Sequence, residues 1–208
     1  AGWSYEKMMS EFHNKESELY TEAYNFRQAG KLTNLSCQYR IGANSLAKKF
    51  FTTYQIFIDQ RTSYHYLNTY KRRYPGVVAY WDAAIKLAKE KGYAESIGGR
   101  RFRIHEFGWQ GESNAINHPI QGSGADHMEV AISVMNEEVP EARLLTVMHD
   151  GIYWAIKNKD IAQNMHAVLN GIDFQEVWNK EIFLPLPFDG EIGTNFKDIK
   201  EFTYHESH

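Results

Sequence analysis

Leu144-Leu145-Thr146-Val147-Met148-His149-Asp150-Gly151-Ile152-Tyr153-Trp154-Ala155-Ile156 is the stretch on which the reading of the fold turns. Two β-prone runs flank an Asp-Gly turn signal, a pattern that predicts a hairpin with strands over 144–148 and 152–156. His149-Asp150 then sits at the tip. Upstream, the spacing is helical. Residues 4–28 predict a helix with Ser4 as N-cap, and 27–41 continue it with Gly42 as C-cap. Ala43 to Phe51 predict a short helix. Residues 60–73 and 76–91 predict two more, divided by Pro75-Gly76, with Val77, Val78, Trp81, Ile85 and Ala88 on one face and Gly92 as the stop. A second hairpin is expected over 94–104 about Gly98-Gly99. A long helix is expected over 120–138 after Pro119, with a further helix at 159–170 and a last strand at 186–192. Helices first and a small antiparallel sheet with packed helices after them make an α+β chain, dividing into residues 1–93 and 94–208.

Composition narrows the function classes. The chain has 208 residues, 43% hydrophobic and 14% aromatic, enough for one sizeable core or two small lobes. A net charge of −3 excludes a strongly basic nucleic-acid domain as a whole-chain description, while leaving local basic surfaces open. The single cysteine, Cys37, excludes a disulfide framework within the chain and any multi-cysteine zinc site. No apolar run is long enough to span a bilayer, and no basic-then-apolar leader opens the chain. The expected setting is a reducing compartment, the cytoplasm.

Four constellations carry chemistry. Arg27, Lys31, Leu35 and Tyr39 recur every fourth residue, which places two cations, an apolar side chain and a ring along one helix flank. Such a row suits a nucleotide end to end, with cations for phosphates, leucine for the sugar and the ring for a base. It also suits an ordinary surface helix. Asp150 at a hairpin tip offers a rigid outward carboxylate for Mg²⁺, which takes one or two carboxylates plus substrate phosphates, though Asp-Gly is equally plain turn chemistry. Asn117 and Gln121, among the small residues of 117–126, pair an acceptor-seeking amide couple with room for close backbone approach, as minor-groove edges require. Arg100 and Arg101, and Lys71-Arg72-Arg73 upstream, are local basic patches that fit either a phosphate backbone or solvent.

Taken in order, these segments resemble family A DNA polymerases, the bacterial polymerase I and phage replicative group. Arg27-Gln28-Ala29-Gly30-Lys31-Leu32-Thr33-Asn34-Leu35-Ser36-Cys37-Gln38-Tyr39 is similar to that family's motif B helix. Arg73-Tyr74-Pro75-Gly76-Val77, Gly92-Tyr93, Glu95 and Gly99-Arg100-Arg101 resemble its connection from fingers back to palm. Asn117-His118-Pro119-Ile120-Gln121-Gly122 is similar to its Asn-x-Pro-x-Gln-Gly segment, and Val147-Met148-His149-Asp150 to motif C. The resemblance covers most of residues 24–195. It implies a helical fingers region at 1–93 and the C-terminal part of the palm at 94–208.

The resemblance also implies roles. Arg27 and Lys31 hold the triphosphate of an incoming dNTP, Lys31 doubling as proton donor to pyrophosphate. Leu35 faces the sugar and Tyr39 stacks near the nascent base pair. Asn117 and Gln121 contact the primer-template, with Arg100 and Arg101 on its backbone. His149 touches the primer end, and Asp150 binds catalytic Mg²⁺. The reaction is attack of the primer 3′-OH on the α-phosphorus, clamped by two metal ions. Leu35 departs from the aromatic usual there, Gly151 from a common Glu, and Ser113 from an Arg. Motif A, with the other metal-binding Asp, has no counterpart in the chain. The expectation is a C-terminal part, or one subunit, of a split polymerase of phage type, sharing its ions with a second polypeptide that carries motif A, the thumb and optionally an exonuclease. The alternatives are a non-catalytic, nucleic-acid-binding or structural remnant, and a fragment made by truncation of a single-chain enzyme, which the sequence does not separate from a split subunit.

Overall fold

The structure, a computed structural model, describes residues 3–202. It is α+β, with helices preceding and flanking three two-stranded antiparallel sheets. Two compact units form within it, one from residues 3–92 and 104–117, the other from 93–103 and 118–202. No described helix is long and apolar enough to cross a membrane.

The first unit opens with α1 (Tyr5–His13), capped by Ser4, whose Oγ accepts from the Lys7 N–H at 3.2 Å. The helix expected to run unbroken from residue 4 stops here. Asn14 Oδ1 accepts from the Glu16 N–H and Ser17 Oγ from the Leu19 N–H, so short polar side chains offer the backbone an alternative to helical bonds. α2 (Tyr20–Gln38) follows. Its end departs from expectation too. Arg40, at φ 55°, takes the left-handed position after the helix, while Gly42 has φ −81° and is the N-cap of α3 (Ala43–Tyr54). α4 (Gln60–Arg73) is capped by Asp59, whose Oδ1 accepts from the Thr62 N–H at 2.7 Å. Lys71, Arg72 and Arg73 occupy its last turn, where the helix dipole favours cations. α5 (Pro75–Lys91) starts on Pro75, whose missing N–H costs nothing at a first helical position, and stops at Gly92 with φ 76°. α2 packs against α1, α3 and α4. Leu32, Leu46, Phe50, Leu67, Trp81 and Ile85 are buried, each worth about 1.5–3 kcal/mol in removal from water.

The second unit begins with β1 (Tyr93–Glu95) paired to β2 (Arg101–Arg103). The expected hairpin forms, but its connection is residues 96–100 rather than the two glycines alone. Gly99 supplies a positive φ of 89°, and Gly98 leaves room for Asp126, whose carboxyl would lie 2.8 Å from any Cβ there. α6 (Trp109–Glu138) starts well before the expected residue 120 and carries Pro119 inside it. The proline that reads as a helix start forfeits one intrahelical bond instead. Buried Ala115 and Ile116 anchor the preceding turn, and the Tyr80 hydroxyl donates to the Ile116 carbonyl at 2.7 Å. β3 (Arg143–Met148) and β4 (Gly151–Ala155) form the expected hairpin, with a bulge between Leu144 and Thr146. α7 (Lys159–Asn170) is capped by Asn158, and a short unanticipated α8 (Phe174–Trp178) by Asp173. Of the last expected strand, residues 191–192 remain as β5 (Glu191–Ile192), paired with β6 (Lys200–Glu201). Ala131, Met135, Val139, Ala142 and Leu169 form the core here, with Ile152, Trp154 and Ile161 packed against it.

Candidate nucleotide and nucleic-acid site

In the first unit, burial of Ala23, Gln28, Leu32, Ser36 and Cys37 turns the other flank of α2 outward. Arg27, Lys31 and Leu35 lie on that flank, with Tyr39 as the helix's C-cap residue. The Arg27 guanidinium lies 4.6 Å from the centre of the Phe12 ring, a cation–π contact that holds the side chain while leaving its N–H groups for an anion. Lys31 is exposed, and Leu35 and Tyr39 are 47% and 43% exposed, so the row is open to a ligand. Burial pushes the Cys37 thiol up to about 11, which makes it an inert packing residue under the row.

An ion-pair node lies beyond the row. Arg40 Nη1 is 2.6 Å from one Glu112 oxygen, and Lys89 Nζ is 3.1 Å from the other. Hydrogen bonds from Arg40 and then Lys89 hold the Glu112 carboxyl below its ordinary value. Sequence reasoning missed this node, since Arg40 and Glu112 are 72 residues apart. Asn117 also belongs to the first unit, and its side-chain amide donates to Ser113 Oγ at 3.2 Å.

In the second unit, Arg100 and Arg101 have acidic neighbours. Arg100 reaches Asp126 at 2.9 Å and Glu129 at 2.8 Å, and Arg101 reaches Glu95 at 3.0 Å. Any phosphate contact by either arginine has to share these carboxylates' hydrogen bonds. Asp126 is the other residue that sequence reasoning left without a role. It is buried, accepts from the Gly98 N–H at 2.8 Å, and clasps the Arg100 guanidinium. Burial alone would raise its carboxyl, but Ser96, the Gly98 N–H and Arg100 outweigh that and hold it below its usual 3.8. Its signal was an acid directly after the small residues Gly122, Ser123, Gly124 and Ala125. Gln121 is exposed one helical turn beyond Asn117 on α6.

At the hairpin, Met148 pairs with Gly151, which leaves His149-Asp150 as a two-residue loop. His149 carries φ 54°, the left-handed backbone that primed hairpin turns demand and that costs a non-glycine residue about 1–2 kcal/mol. Asp150 is exposed at this fixed point. Among the described residues, no group of three or more His, Cys, Asp or Glu side chains is placed to hold a metal ion. One outward carboxylate does not make a two-ion magnesium centre, so the described residues do not fit that group by themselves.

The model of DNA polymerase family A matches residues 5–198. The chain belongs to DNA polymerase family A. It is 28% identical to DNA polymerase I of Rhizobium leguminosarum over 83% of its own length and 18% of that protein's. It is 31% identical to DNA polymerase I of Lactococcus lactis subsp. lactis (strain IL1403), over 85% of its length and 20% of that protein's. The chain thus spans about a fifth of the length of these relatives. Among solved structures it resembles the POL domain of Pol1 from M. smegmatis, which was solved with a DNA primer-template and dNTP. The TM-score is 0.62 and the identity 21%, covering 78% of this chain and 30% of that one, a likeness of fold.

Proposed function

We propose that this family A chain supplies the C-terminal fingers and palm of a template-directed DNA polymerase. Residues 1–93 act as the fingers-like region and 94–208 as the later palm. The observation that carries the reading is the outward row of Arg27, Lys31, Leu35 and Tyr39 on α2, within a segment matched by the family model. Arg27 and Lys31 bind the triphosphate of a dNTP, Leu35 lies under the sugar, and Tyr39 meets the base. The primer 3′-OH attacks the α-phosphorus, the bond to pyrophosphate breaks, and Lys31 gives the leaving group a proton. Asn117, Gln121, Arg100 and Arg101 position the primer-template, and His149 the primer end.

Asp150 is this chain's ligand to Mg²⁺, and the rest of that site comes from a segment outside the described residues. We assign that segment to a second polypeptide with a motif A carboxylate and the thumb, as in a split, phage-type enzyme acting in the cytoplasm. Support comes from β3, an apolar strand whose Leu145, Val147 and Met148 are 55%, 42% and 49% exposed and whose sheet, among the described residues, contains β4 alone. A non-catalytic remnant is favoured only by the lone carboxylate. Co-purification with the motif A polypeptide, followed by primer extension, tests the reading. Extension by the pair and none by the chain alone is expected. An assembled pair that binds DNA but never extends it would establish the remnant.

A further inference from the structure

We infer that Phe12, on α1, is a positioning residue for the phosphate end of the row, its ring holding the Arg27 guanidinium in place with every N–H donor left free. The inference deepens the polymerase reading and rests on it for the identity of the ligand. The centre of the Phe12 ring lies 4.6 Å from the guanidinium carbon of Arg27. The ring is itself fixed. It is half-buried and lies nearly parallel to the rings of Tyr20 and Tyr24 on α2, 6.3 Å from each and inclined by 18° and 21°. Spacings of four, three and four place Tyr20, Tyr24, Arg27 and Lys31 on one flank of α2. Phe12 therefore closes the row at its phosphate end, where α1 packs on α2.

Other cations near the proposed site are held differently. Arg40, Lys89, Arg100 and Arg101 are each paired with a carboxylate. Among the described residues no carboxylate pairs with Arg27, and the Phe12 ring is what its guanidinium meets. Three and four residues away from it on α2 stand Ala23, Tyr24, Gly30 and Lys31, none of them acidic. Glu11, beside Phe12 in the chain, is engaged by the Ser17 hydroxyl. The difference matters to an incoming anion. A carboxylate neutralises a guanidinium and occupies its donors, so a phosphate has to displace it. A ring attracts the cation through its negative face and takes none of the five N–H groups.

The ring also acts on disorder. Arginine has more rotamer freedom than most side chains, and binding has to remove it. Phe12 removes part of that freedom before any ligand arrives, so the phosphates meet a donor fork already in place. The effect belongs to one end of the row, because Leu35 and Tyr39 lie about two and three helical turns further along α2. Leucine in place of Phe12 would pack α1 on α2 through apolar contact but would offer the cation no negative face. That contrast separates positioning from plain packing.

The test uses the full chain and two probes, mant-labelled dATP read by fluorescence anisotropy and inorganic tripolyphosphate as its competitor. Phe12→Leu keeps the apolar contact and removes the ring. Pentafluorophenylalanine at the same position keeps the shape and inverts the charge distribution of the ring. Each is expected to weaken both probes equally, by about 2–5-fold, while Phe12→Tyr binds them as the wild type does. In an Arg27→Ala background the same changes at Phe12 are expected to have no further effect. If Phe12→Leu melts early, or Arg27→Ala binds too weakly to measure, the fluorinated ring decides alone. Three results would overturn the inference and leave the polymerase reading standing: wild-type affinity with the fluorinated ring, an effect of Phe12→Leu that persists without Arg27, or a loss for dATP with none for tripolyphosphate. A wild-type chain that binds neither probe would overturn both.

Discussion

Asp150 and Lys31 bear the most chemistry per atom in the proposed enzyme, and each can be separated from the fold. Asp150 lies exposed in a two-residue loop set by Met148 and Gly151, so Asp150→Asn removes a charge without opening a cavity. The amide also suits a turn. We expect extension by the assembled polymerase to be abolished, while the melting temperature shifts by no more than a surface change of about 0.5 kcal/mol would cause. Thermal melting and single-turnover extension on the same preparation check both halves. Lys31 lies one turn beyond Arg27, so both cations can reach one triphosphate. Lys31→Ala should weaken dNTP use by about 1.5–3 kcal/mol, the worth of a charge-assisted contact, and leave primer-template affinity unchanged. An unaltered apparent dNTP affinity and rate would remove Lys31 from the site.

Between elements, Asp126 ties α6 to the turn joining β1 and β2. Its carboxylate is buried and meets both the Gly98 N–H and Arg100, so Asp126→Ala strands the Gly98 N–H, leaves Arg100 with Glu129 alone, and should destabilise the chain by about 1–3 kcal/mol. Because the folded carboxyl lies below its usual 3.8, this contribution is complete above that pH and drains away as pH falls through the lowered folded value. Melting curves stepped downward through pH 4 should therefore steepen in the wild type and flatten in Asp126→Asn. These links show what the amino-acid order exposes. The 144–156 hairpin was legible because apolar runs and turn chemistry are local, and the α2 row because fourfold spacing marks a helix flank. The start of α6 was hidden by Pro119, which looks like a boundary until buried Ala115 and Ile116 are seen to carry the helix past it. Arg40 in the left-handed position was hidden by Gly42 two residues on. The bonds from Glu112 to Arg40 and Lys89 join residues far apart in sequence, and no local pattern announces them.

At the scale of the whole molecule, the chain has a surface that invites a partner. Leu145, Val147 and Met148 are exposed on β3, whose second edge pairs with no strand among the described residues, and an apolar strand with such an edge recruits other strands. Alone, the chain should self-associate on size-exclusion chromatography. Leu145→Lys should suppress both that association and recovery of the motif A polypeptide, whereas a variant that still assembles would place the interface elsewhere. The central claim is that this part of a family A polymerase becomes catalytic when a second carboxylate joins Asp150. Primer extension with Mg²⁺ tests it most directly, run on the chain alone, on the motif A polypeptide alone, on the two together, and on the two together with Asp150→Asn. The account predicts extended primer in the third reaction only. Robust extension by the purified chain alone, or by the pair carrying Asp150→Asn, would contradict it.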